Sequence, residues 1–185
     1  MSKIFKWAGL ALLGALVIIQ FFGIDKTNPP VNASEEFMTL AAPPADVAQL
    51  LKDACYDCHS HETEYPWYTN IEPVSWWIAH HIEEARGHLN FSTWGTYNAE
   101  KKAHKAEECG EEVEKGKMPL KSYLPMHPEA RLTDAQRALL TNWFMALSGQ
   151  KEGAEEMQGG EESSSHEKEE GDSHEEEGEH EHEHK

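Results

Sequence analysis

Cys55, Tyr56, Asp57, Cys58 and His59 place two thiols and an imidazole within one pentapeptide. Two cysteines separated by two residues, with a histidine directly after the second, have the spacing of c-type haem attachment. Each thiol can add across one vinyl group of a porphyrin, and the adjacent imidazole is then held where it can donate a nitrogen to the iron. A zinc site on the same cysteines needs a fourth ligand at matching spacing, and no second C-x-x-C or H-x3-H pair follows in the domain. A thioredoxin-like thiol pair needs a βαβ setting, which the sequence pattern does not provide. The expected cofactor is therefore haem c, covalently bound, one per chain. The third cysteine, Cys109, is left without a partner, which excludes a disulfide scaffold and suits a small buried apolar residue.

The iron's other face needs a second ligand or an open position. Met118 is the first candidate, because Pro119 holds it in an extended loop and a thioether suits iron that shuttles between two redox states. His81 is the rival, since an imidazole on an apolar stripe must find a partner. Met126 comes third.

These residues have to be positioned by elements that the periodicity makes helical. From Ala45, the residues Val47, Leu50, Leu51, Ala54, Cys55 and Cys58 recur at steps of three and four, so both cysteines share one apolar stripe. A second helix is predicted from about Val74 to Leu89, with Val74, Ile78, Ile82, Ala85 and Leu89 on one arc and His81 inside it. Asn98 is placed to cap a third, whose inner face carries Ala99, Ala103, Ala106, Cys109 or Gly110, and Val113, and Gly116 is placed to end it. The loop Lys117–Pro128 contains Pro119, Pro125 and Pro128 and cannot be helical. Thr133-Asp134-Ala135-Gln136 opens the last helix, with Leu139, Leu140, Trp143, Phe144 and Leu147 inward and Gly149 as its stop. The tryptophans at 67, 76, 77, 94 and 143 are expected in the core, some of them walling the porphyrin. No segment alternates with a period of two, so the fold is all-α.

The flanks differ in kind. Lys3 and Lys6 precede a run from Trp7 to Ile24 broken only by Gln20, which predicts a transmembrane anchor with the following domain exported. A cleaved signal peptide is the competing reading, but no A-x-A pattern follows the run directly. Residues 25–44, with Asn28-Pro29-Pro30 and Pro43-Pro44, read as a spacer. Residues 149–185 carry 3 Lys against 15 Asp and Glu, a net of −12 out of the whole chain's −18. Such a tail should be solvated and disordered. Its histidines, His180, His182 and His184 among them, could bind Zn, Ni or Cu loosely. No part of the chain is basic enough to suggest nucleic acid. The expected division is thus 1–24 anchor, 25–44 linker, 45–148 haem-binding domain and 149–185 tail.

The stretch Ala54–Ser60, with Tyr65-Pro66-Trp67-Tyr68, Trp76-Trp77-Ile78, His81-Ile82, Leu89-Asn90-Phe91-Ser92 and Lys117-Met118-Pro119-Leu120, resembles the bacterial haem-binding-domain family. The resemblance runs from about residue 3 to 147. It implies a monohaem c-type domain facing the periplasm, with Cys55 and Cys58 as thioether positions and His59 as the proximal ligand. The C-terminal half also looks like a class I cytochrome c, a methionine loop followed by a closing helix, and that analogy alone assigns Met118 as the sixth ligand. The expected function is a periplasmic electron carrier on the bacterial inner membrane, whose partners are membrane or periplasmic redox proteins and the cytochrome c maturation machinery. A haem-based sensor or peroxidase-like enzyme using His81, and a metal-handling module using the tail, are the alternatives.

Overall fold

The computed structural model describes residues 2–159, with side chains over 3–149, and every regular element among them is helical. In chain order these are α1 (Ser2–Ile19), α2 (Phe37–Ala41), α3 (Ala45–Leu51), α4 (Asp57–His59), α5 (Val74–His88), α6 (Ala99–Glu114) and α7 (Asp134–Gly159). α3 runs without a break into a π turn over Lys52–Tyr56 and then into α4. Short 3₁₀ turns lie at Trp67–Asn70, Phe91–Thr96 and Pro128–Ala130.

Helix ends follow the local chemistry. The Asn98 side chain accepts the Lys101 amide at 2.8 Å, and α6 ends just before Gly116, whose φ of 65° costs a residue without Cβ nothing. At α7 the exchange is reciprocal: Thr133 N donates to Gln136 Oε1 at 2.9 Å and Gln136 N donates to Thr133 Oγ1 at 3.3 Å. α6 and α7 pack along each other closely enough that a Cβ on Gly110 would stand 2.9 Å from Met145 Cε.

The core is organised around Phe37. Its ring meets Phe91 at 4.6 Å, Trp94 at 4.8 Å, Trp143 at 5.8 Å and Phe144 at 6.4 Å between centroids. Val47, Leu51, Ala106, Val113 and Leu140 close around these rings. The expected spacer over 25–44 is therefore folded onto the domain, and α2 supplies its central residue. Five residues are too few for a sequence period to show, which is why Phe37 stays hidden until its neighbours are in place.

Other expectations change as well. The anchor helix stops at Ile19, where the Gln20 side chain donates to Glu72 O at 2.9 Å and accepts from Glu72 N at 3.1 Å. Its apolar part, Trp7–Ile19, measures about 20 Å, short of the roughly 30 Å hydrocarbon core. Among the described residues no helix is long and apolar enough to cross a membrane. Past Gly149, α7 continues to Gly159, since a glycine is only a weak stop inside a helix already nucleated. Val74 and Leu139 are exposed rather than inward, and so are Trp67, Trp76 and Trp77, leaving Trp94 and Trp143 as the tryptophans of the core.

Candidate functional site

Cys55, Cys58, His59 and Met118 all line one cavity of about 680 Å³. α3, the π turn and α4 bring the first three there as a single helical stretch. The π turn matters because its wider winding shifts the register of side chains by one residue, a local device that recurs at functional sites. It lets Tyr56, between the cysteines, turn the other way into the core, where it stacks on Phe91 at 5.2 Å and 11° and donates to the buried Glu36 carboxylate.

His59 is oriented from behind. α5 ends at His88, so Leu89 is extended and its carbonyl is free of the helix. His59 Nδ1 lies 3.1 Å from that oxygen. An Nδ1–H donor there leaves Nε2 as the nitrogen with the lone pair, the form in which imidazole ligates a metal. Burial pushes the His59 pKa down, against the opposing pull of the Leu89 and Ala85 carbonyls, and holds the ring neutral. The edge of Phe91 walls the ring at 6.3 Å.

Asp57, also inside the motif, works as a bracket. Its carboxylate accepts the Tyr123 hydroxyl at 2.6 Å and the Glu64 amide at 3.0 Å, tying the cysteine helix to the methionine loop. Arg86 of α5 holds the helix end from the other side. Its Nε donates to Ser60 O at 2.7 Å, and a terminal nitrogen donates to Thr63 Oγ1 at 2.9 Å and Asn28 Oδ1 at 3.2 Å. Met118 is held through its backbone: its amide donates to Glu112 O at 3.1 Å and its carbonyl accepts from Arg137 at 3.4 Å.

All three cysteines are free thiols. Burial pushes Cys55 up to about 12, with Cys58 adding to it. Cys58 is pushed up to about 11 by burial first and the Asp57 charge second, with Arg86 opposing. Cys109 lines the same cavity, and burial, then Cys55, raises its pKa too. At neutral pH the three are thiols rather than thiolates.

The residues fit a haem. The volume lies within the roughly 300–1,000 Å³ of small-molecule sites. Its walls are apolar at Leu89, Phe91, Val113 and Phe144, and its lining groups include three thiols, the His59 imidazole and the Met118 thioether, with charged side chains such as Lys105, Glu108 and Glu112. Among the described residues no three His, Cys, Asp or Glu side chains converge on a common metal position. His81 also lines the cavity, with Nδ1 bonded to Trp77 O at 2.8 Å and its ring against Trp77. Met126 is exposed and lines a neighbouring cleft instead. His180, His182 and His184 lie outside the described residues.

Glu36, Tyr56, Asp57, Arg86, Leu89 and Tyr123 support the site without having stood out in the sequence. Lone polar residues in loops carry no period, and Leu89 acts through its backbone. Only the position of Tyr56 and Asp57 inside the motif could have flagged them.

Among the described residues the chain is all-helical, and a cavity that gathers Cys55, Cys58, His59 and Met118 has the layout expected of a helical haem protein. The family model described as Haem-binding domain matches residues 14–146, most of the chain, and the chain belongs to that family. No curated protein and no solved structure matches it.

Proposed function

We propose that this haem protein is a monohaem c-type cytochrome that transfers electrons, with haem bound covalently through Cys55 and Cys58 and ligated by His59. The observation that carries the reading is the convergence of Cys55, Cys58, His59 and Met118 on one cavity. When bound, haem supplies an iron that alternates between ferric and ferrous. The chain's own residues then do three things. Leu89 O fixes the His59 ring and leaves Nε2 available. The thiols are kept protonated and facing the cavity until attachment. Glu112 and Arg137 hold the Met118 backbone at the cavity, where its thioether would be available to the iron as the second protein ligand.

The protein works at the periplasmic face of the bacterial inner membrane, among membrane and periplasmic redox proteins and after cytochrome c maturation. Membrane association is supported by the apolar side chains that α1 leaves exposed, Phe5, Trp7, Leu12 and Ile18 among them. Buried apolar area is the term that holds such a helix to a bilayer surface.

The test of the ligand assignment is the absorption spectrum of wild type, Met118→Ala and His81→Ala. A methionine-to-iron charge-transfer band present in wild type and His81→Ala but lost in Met118→Ala is expected. A wild-type spectrum without that band, whose six-coordinate low-spin form is lost in His81→Ala and kept in Met118→Ala, overturns the assignment and favours the sensor or enzyme reading, because His81 is then the ligand that has to leave.

A further inference from the structure

Beside the haem cavity lies a second cleft of about 390 Å³ that the reading above does not use. Its walls are largely apolar and aromatic, with Pro66, Trp67, Ile71, Val74, Trp77 and Ile78 on one side. Asp57, Cys58, His81, Leu120 and Tyr123 line both spaces, so the two are separated by single side chains.

The cleft has one polar feature that an apolar wall does not need. The Tyr68 hydroxyl lies 2.6 Å from His127 Nε2, and His127 Nδ1 lies 2.9 Å from Glu129 Oε1. Tyr123 stacks on the His127 ring at 3.8 Å and 6° and holds it in place. Glu129 is exposed, whereas the His127 side chain is only 12 % accessible. The three groups form a hydrogen-bonded path from the cleft to water. With its own proton on His127, the Tyr68 oxygen can accept one from a ligand hydroxyl. At the border with the haem cavity, His81 Nδ1 is taken by the Trp77 carbonyl, so its other ring nitrogen is a second acceptor. Lone apolar packing explains none of this.

The ligand that matches is flat, lipophilic and hydroxyl-bearing, and it releases protons next to an electron acceptor. We infer that the cleft binds the ring of a lipophilic hydroquinone or quinone, with Tyr68 as its hydrogen-bond partner and Tyr68–His127–Glu129 as the proton exit. The location suits a ligand delivered from a membrane. Residues 70–76, which carry Ile71 and Val74, hold the C-terminal end of α1 through Glu72 and through Trp76 Nε1, which donates to Phe22 O at 2.7 Å. Oxidation of one hydroquinone breaks two O–H bonds and gives the quinone, two protons and two electrons. The electrons go to two ferric haems, on two protein molecules or on one reoxidised between turns by a one-electron acceptor such as ferricyanide. This use of the cleft rests on the electron-transfer reading, but ring binding does not.

The test is anaerobic isothermal titration of the haem-loaded, dithionite-reduced full chain in mild detergent with menadiol, a hydroquinone without a long tail whose hydroxyl can donate to Tyr68. Saturable one-site binding is expected, weakened about five- to tenfold in Tyr68→Phe through the lost hydrogen bond. Trp67→Ala, at an exposed ring that lines only this cleft, should weaken it similarly while the haem spectrum of both variants stays as in wild type. No saturable binding, wild-type affinity in both variants, or binding confined to haem-free chain overturns the inference. If the haem proves extractable while menadiol still binds in this pattern, the c-type reading falls and the ring site stands.

Discussion

Replacing Phe37 by alanine tests whether the segment before residue 45 is part of the fold. The side chain is fully buried and meets four aromatic rings from two other parts of the chain, the 3₁₀ turn Phe91–Thr96 and α7, so little around it is free to collapse into the space left. Phe→Ala at such a site costs about 3–5 kcal/mol, and a rigid aromatic surround puts the expectation near 4. At roughly 2–4 °C per kcal/mol for a chain of this size, the melting temperature should fall by about 8–16 °C. Leu40, on the same short helix but 47 % exposed, is the control, and Leu40→Ala should cost no more than about 1 kcal/mol. Thermal unfolding of the full chain in mild detergent, followed by far-UV circular dichroism, measures both. Phe91 carries the effect on to the site, since it packs on Phe37, Tyr56 and His59. If Phe37→Ala melts within 2 °C of wild type and of Leu40→Ala, α2 is not a core element and the reasoning fails.

Arg86→Met keeps the stem but removes the donors to Ser60 O, Thr63 Oγ1 and Asn28 Oδ1, and should destabilise the chain by about 2–4 kcal/mol in urea titration; a loss under 0.5 kcal/mol contradicts its role as bracket. The haem-free chain should lose stability in alkali. Cys55 and Cys58 ionise near 9 when unfolded but only at about 12 and about 11 when folded, so protons are retained by the folded state and their contribution, full below pH 9, fades as pH rises through 11–12. A Cys55→Ala/Cys58→Ala double variant should show a flatter urea midpoint between pH 9 and 11, and an identical slope would refute the assignment. The same logic with the opposite sign applies to His59, whose depressed pKa makes the haem-free chain less stable as pH falls below 6.5, an effect His59→Gln should remove.

The grouping of Cys55, Cys58 and His59 at one cavity and the α-helical class were legible because each rests on local spacing. Asn98, Gly116 and the Thr133–Gln136 exchange were legible for the same reason: a cap is decided within four residues. What the sequence hid is tertiary. Phe37 sits in a helix too short to show a period, and the surface position of Trp67 and Trp77 depends on which face α5 and the preceding turn present. The π turn adds one residue of register within the cysteine helix, so a 3.6-residue pattern could place both thiols on one face but not turn Tyr56 into the core. The Leu89 carbonyl behind His59 is a backbone group with no residue-type signature at all.

The central claim is that Cys55 and Cys58 hold the haem covalently above His59. It is tested most directly by expressing the chain with the c-type maturation machinery, denaturing it and extracting with acidified acetone. The account predicts that the haem stays with the polypeptide in wild type and that the Cys55→Ala/Cys58→Ala double variant releases it into the solvent. Complete extraction from the wild-type chain would contradict it.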